Sequence, residues 1–228
     1  MGGRQPTMEV LVILYNTLLG VAAGTAMILV PLLARHVRRR DLLSVEGWAL
    51  SLGVLGVIIT FLSGAMTVTW PLDEKPQVNI LFGEPSLFLG LLVLAAALYL
   101  WARGSALTAS SADDRDLLAV TQPLAWLIFV LGLILTSCTI AILSLNAFGN
   151  APQQEPVSGA LPAGLENGFL GVVYALAAIG CLLAPWAVRN LRGPLALVSG
   201  CCLVVSGVAL TLYSVLNYYT HIGLLLAT

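Results

Sequence analysis

The sequence predicts an all-α fold: a polytopic transmembrane bundle of six helices with both termini on the outer side. Three observations point there. Of 228 residues, 59% are hydrophobic and 9% charged, with mean hydropathy +0.96, whereas a soluble domain carries about 25% charged residues. Six apolar runs each supply the ~20 residues that a helix needs to cross hydrocarbon. The basic residues gather in alternate connections, which sets an orientation. So little polar surface cannot face water. The length leaves no room for a sizeable soluble domain, so residues 1–228 read as one transmembrane domain.

The first run, 9–34, follows a segment with Arg4 as its single basic residue and is too long for a signal-peptide core, so it is expected to be retained. Gly2 opens a myristoylation pattern, but Pro6 stands where Ser or Thr is needed. The second run, 46–71, closes at Pro71. The third, 85–103, opens at Glu84-Pro85. The fourth and fifth cover 120–147 and 167–189, and the sixth, 194–218, opens at Gly193-Pro194. Trp70, Trp101, Trp186, Tyr218 and Tyr219 fall at predicted ends, where amphipathic rings favour the membrane interface.

Arg35, Arg38, Arg39 and Arg40 follow the first run, Arg103 and Arg115 the third, and Arg189 and Arg192 the fifth. These connections share one side and hold eight of the ten basic residues; Arg4 and Lys75 fall opposite. The positive-inside rule places the arginines in the cytoplasm. The Arg35–Arg40 cluster is thus a topology determinant that also attracts anionic lipid headgroups. It is too short for a nucleic-acid surface, so no nucleic-acid partner is expected.

An internal repeat is visible. Val54-Leu55-Gly56-Val57-Ile58-Ile59-Thr60 resembles Val130-Leu131-Gly132-Leu133-Ile134-Leu135-Thr136, and Phe88-Leu89-Gly90 resembles Phe169-Leu170-Gly171. Both pairs of runs have the same topology, so the repeat is parallel. Gly20 and Gly24, and Gly164 and Gly168, fit the small-xxx-small spacing for close helix approach. The four cysteines lie within apolar runs without a Cys-x-x-Cys spacing and are expected to be buried hydrophobes.

Polar residues cost free energy in hydrocarbon, so they mark candidate sites. The predicted helix interiors hold no Lys, Arg or His, which disfavours a proton relay, a voltage sensor or a charged midplane transport site. Polar groups collect at the outer face instead: Tyr15 and Asn16, then Asn79 and Glu84, then Asn217, Tyr218 and His221. These seven form the candidate binding cluster. Six acids, among them Glu155 and Glu166, stand there against two bases, which would draw a cation. Plainer roles stand beside each. Glu84 can favour a helix N-terminus, Asn16 an interhelical hydrogen bond, and Tyr218 an aromatic belt. His221 can be solvated or can ligate a haem or chlorophyll-type pigment; His36 lies on the opposite face, which excludes a bis-histidine haem. Phosphate loops, nucleophile elbows, zinc-protease helices and dinucleotide fingerprints are lacking from the sequence.

At Tyr15-Asn16-Thr17, Trp70, Asn79 and Phe82-Gly83-Glu84-Pro85 the chain resembles the family known as domain of unknown function 981. That family consists of small polytopic membrane proteins of bacteria and archaea with no settled activity. The resemblance implies a prokaryotic plasma membrane and an outer-loop element containing Asn79 and Glu84. Three functions stay open. The first is a non-catalytic accessory or scaffold subunit that packs on other membrane subunits or itself and holds lipid or pigment. The second is a small-solute or cation transporter with an acidic outer vestibule, and the third a redox or pigment protein using His221.

Overall fold

The computed structural model describes residues 17–39, 44–73, 75–108, 114–149, 153 and 155–227. Tyr15, Asn16 and Arg40 lie outside them. Six long helices result: α1 (Leu18–Arg39), α2 (Val45–Thr69), α3 (Glu84–Thr108), α4 (Asp114–Leu145), α5 (Leu165–Leu182) and α6 (Pro194–Ala227). Each lies in a segment long and apolar enough to cross a membrane, and no strand occurs among the described residues. Helix α2 packs along α3, α4 along α5, and α6 along both α1 and α5. Outward faces are apolar: Phe61 is 73% exposed and Leu98 68%.

Local chemistry explains where the bounds depart from the sequence expectation. Ser44 caps α2 by accepting from the Gly47 amide at 3.0 Å. Helix α3 does not begin at Pro85. The chain is already helical over Pro76–Val78 and follows a π-helical turn over Asn79–Gly83, so Glu84 lies inside a continuous helical path. Its backbone N–H donates to the Ile80 carbonyl, so it caps no free N-terminus. Helix α5 stops at Leu182 rather than 189 because Pro185 supplies no amide donor; a short helical turn, Ala184–Ala187, follows. Helix α6 continues past Tyr218 to Ala227, with no proline to stop it.

Glycine spacing works at one of the two proposed places. A Cβ on Gly24 would stand 2.7 Å from the Gly207 carbonyl oxygen, and one on Gly207 2.6 Å from that of Gly24. Backbones of α1 and α6 therefore touch there, as small residues in membrane helices permit. The Thr211 and Ser214 hydroxyls, buried without a hydrogen-bond partner, stand over Gly24 and Gly20. A Cβ added at Gly164 or Gly168 would meet nothing within 4 Å, so this pair makes no such contact. Cys138 and Cys181 are buried as expected, whereas Cys201 faces outward.

The repeat is present, in a different register. Helices α2 and α4 both end on a left-handed non-glycine residue, Trp70 (φ 46°) and Asn146 (φ 49°). Gly56 of α2 lies against Leu94 of α3, as Gly132 of α4 lies against Leu182 of α5. Beyond each outgoing helix a buried asparagine accepts from a backbone amide: Asn79 from Leu72 at 3.2 Å and Asn167 from Phe148 at 3.1 Å. Gly83 then meets Met66 and Thr67, as Gly171 meets Ile142 and Leu143. Asn79-Ile80-Leu81-Phe82-Gly83 thus matches Asn167-Gly168-Phe169-Leu170-Gly171. The Phe-Leu-Gly match of Phe88–Gly90 to Phe169–Gly171 is therefore corrected: packing selects the asparagine-anchored register.

Candidate functional site

Pro85 poses the first local problem. In an α-helix its N–H would bond the carbonyl of Leu81, but proline has none to give. A buried carbonyl without a partner costs ~1–3 kcal/mol. The hydroxyl of Tyr174, from α5, donates to that carbonyl at 2.7 Å, so the second hairpin completes the backbone of the first. Three more contacts join the hairpins at this end, away from the arginines. Lys75 Nζ donates to the Phe148 carbonyl at 2.9 Å, Gln77 Nε2 donates to that of Ala147 at 2.8 Å, and the Phe82 and Phe148 rings sit 5.4 Å apart.

Below this bracket lies a cavity of about 180 Å³, lined by α1, α3, α4, α5 and α6. Engineered apolar cavities of ~150 Å³ stay dry and take up benzene. Matched positions of the two hairpins face it: Pro85 with Val173, Leu89 with Ala177, and Val93 with Cys181. Its lining runs along α3 from Phe82 to Ala96, about 21 Å at ~1.5 Å rise per residue. Two of its three hydroxyls are turned to backbone: Tyr174 serves Leu81, and Ser206 Oγ donates to the Val173 carbonyl at 2.8 Å; Ser86 is the third. Apart from Ser86 and Cys181, what remains is a hydrocarbon wall.

The predicted outer cluster separates into parts. Asn79 is 1% exposed and is consumed by the α2 end, donating also to Leu72 and Pro76 carbonyls. Glu84 is exposed. Tyr218 is 40% exposed and Tyr219 63%, which suits an aromatic belt. Asn217 and His221 do share a cluster, with partners the sequence did not assign to them. His221 Nδ1 lies 3.5 Å from the Glu155 carboxylate, and its Nε2 is buried without a hydrogen-bond partner. The Tyr213 hydroxyl donates to Glu166 and is hydrogen-bonded by Asn217. Pro156 lies where a Cβ on Gly223 would clash at 2.4 Å, so the outer connection is strapped to the end of α6. No group of three or more His, Cys, Asp or Glu suited to a metal ion occurs among the described residues.

Tyr174 and Tyr213 escape notice in the sequence because apolar runs hide them; the signal is a phenol in the middle of a membrane segment, which demands a partner. At the arginine face, Arg38 Nη1 donates to the Leu191 carbonyl at 2.8 Å. Arg189 Nε donates to Gln122 Oε1 at 3.2 Å. Arg35 and Arg39 are exposed.

Six membrane-length helices around a hydrocarbon-lined cavity define a multi-pass helical bundle of the membrane type. The chain belongs to the family described as Protein of unknown function (DUF981), whose model matches residues 8–223. Neither a curated protein nor a solved structure matches it.

Proposed function

We propose that this protein is a non-catalytic accessory component of a prokaryotic plasma membrane that holds one hydrocarbon chain within its bundle. In this arrangement the arginine connections face the cytoplasm and both termini the outside. The observation that carries it is the cavity, walled almost wholly by hydrocarbon and with the Tyr174 and Ser206 hydroxyls turned to backbone. A bilayer presents acyl chains at high local concentration, and an apolar void gains dispersion contacts when one fills it. The alternatives have less support. Two of the six acids expected to form a cation vestibule, Glu155 and Glu166, are already engaged by His221 and Tyr213. A haem or chlorophyll-type ring on His221 finds no room in this cavity, whose lining does not include that residue.

The test is purification from native membrane in mild detergent, with native mass spectrometry and an absorbance spectrum on one peak. The expected result is a colourless chain, alone or with partner subunits, carrying a chain-bearing lipid. Leu131→Trp and Ala177→Phe fill the cavity and should both lose it. Unchanged lipid retention by both monodisperse variants refutes the proposal, and visible absorbance lost in His221→Ala transfers it to the pigment function.

A further inference from the structure

We propose that the chain in the cavity belongs to an anionic lipid whose headgroup lies on the arginine-bearing face, next to Arg189 and Gln122. This rests on the cavity holding a chain and adds which end carries the head and what charge it bears. The outer end is stoppered. The Phe82–Phe148 ring contact, the Tyr174 bond to Leu81, and the Lys75 and Gln77 bonds to the carbonyls of Phe148 and Ala147 all tie the hairpins together there. A headgroup at that end would have to break four contacts.

The opposite end is built differently. The lining reaches Leu124 and Ile128 on α4, and between them lies Trp126, whose ring meets Phe129 and Trp186 at centroid distances of 5.6 Å and 6.0 Å. Such aromatic groups mark the level where headgroups begin. Gln122 stands two residues before Leu124. Its amide nitrogen donates to the Pro185 carbonyl at 3.3 Å, and its oxygen accepts from Arg189 Nε at 3.2 Å. Gln122 thus holds the Arg189 guanidinium by its Nε on the arginine-bearing side of this lining, and the remaining N–H groups of a guanidinium suit a planar anion. Helices α3 and α4 touch only sparsely, which leaves a sideways entry from the bilayer. By sequence the connections on this face carry eight arginines against five acids, Asp41, Glu46, Asp113, Asp114 and Asp116, a net positive balance. Attraction of a basic residue to an anionic membrane surface corresponds to about a fivefold change in binding.

The experiment incubates the purified full chain with phosphatidylglycerol, phosphatidylcholine or oleate in mild detergent and counts retained lipid by native mass spectrometry. The expected outcome is that phosphatidylglycerol is retained about tenfold over phosphatidylcholine. Arg189→Gln lowers that preference about fivefold, while Leu131→Trp and Ala177→Phe abolish retention of both. Oleate retained as well as phosphatidylglycerol, with both sensitive to Arg189→Gln, assigns the site to any anionic single chain and still supports the inference. Equal retention of phosphatidylglycerol and phosphatidylcholine, lost in the cavity-filling variants, overturns the headgroup assignment and leaves the cavity function standing. Retention that the filling variants do not change, in proteins that elute as the wild type does, overturns both.

Discussion

The α2–α3 and α4–α5 hairpins share their joints but differ at the turn into the returning helix, where only the first has a proline at the matched position. In both, a glycine of the outgoing helix admits a leucine of the returning one, a left-handed residue ends the outgoing helix, and a buried asparagine fastens the turn. Where α5 has Val173, α3 has Pro85, and there the first hairpin departs into a π-helical turn. Such turns relieve a broken hydrogen-bond ladder and often sit near functional sites. Shared joints therefore set the shape of each hairpin, while the proline makes one depend on the other through Tyr174.

The comparison can be broken hardest at the glycines. Gly56→Leu and Gly132→Leu should each cost about 2–3 kcal/mol by overpacking, because a Cβ would stand 2.9 Å from the Leu94 backbone nitrogen and 2.8 Å from that of Leu182. Unfolding in detergent measures both; a large loss in one variant and none in the other would separate the hairpins. Next come Asn79→Ala and Asn167→Ala, each leaving buried backbone groups unsatisfied at about 1–3 kcal/mol. Asn79 makes three such bonds and Asn167 two, so the first variant should lose more; the reverse ranking in the same assay counts against the joint.

A sharper test uses the asymmetry. Tyr174→Phe should cost about 1–2 kcal/mol by orphaning the Leu81 carbonyl. In a Pro85→Ala background that cost should shrink, because a restored N–H can bond the same carbonyl. A double-mutant cycle showing no coupling means that the tyrosine does not compensate the proline. The smallest effect is expected at Gly168, open on all sides, where Ala should be neutral or stabilising by ~0.5–1 kcal/mol through helix propensity. A clear loss there would reveal a partner outside the described residues.

Hydrophobic runs and arginine spacing give away the helix number, since each depends on local composition. They cannot reveal the repeat register. Phe88-Leu89-Gly90 and Phe169-Leu170-Gly171 match letter for letter, yet backbone approach is decided by what each glycine faces, and that pairs Gly83 with Gly171. Glu84-Pro85 reads as a helix start for a similar reason: proline favours the first helical turn, and nothing local shows that a phenol from α5 supplies the missing bond. Of the outer cluster, Asn217 and His221 are visible as polar groups in an apolar setting. Their neighbours Glu155 and Glu166 read only as surface acids, because the fold of the outer connection over α6 leaves no periodic trace.

The loan of a hydroxyl from α5 to α3 also has a history in time. A chain inserted from its N-terminus delivers α3 to the bilayer before α5 has been made. Until then the Leu81 carbonyl, facing Pro85, lacks its phenol partner, and a buried backbone group left unsatisfied costs about 1–3 kcal/mol. Arrival of Tyr174 supplies the missing bond, so biogenesis of the first hairpin finishes only with the second.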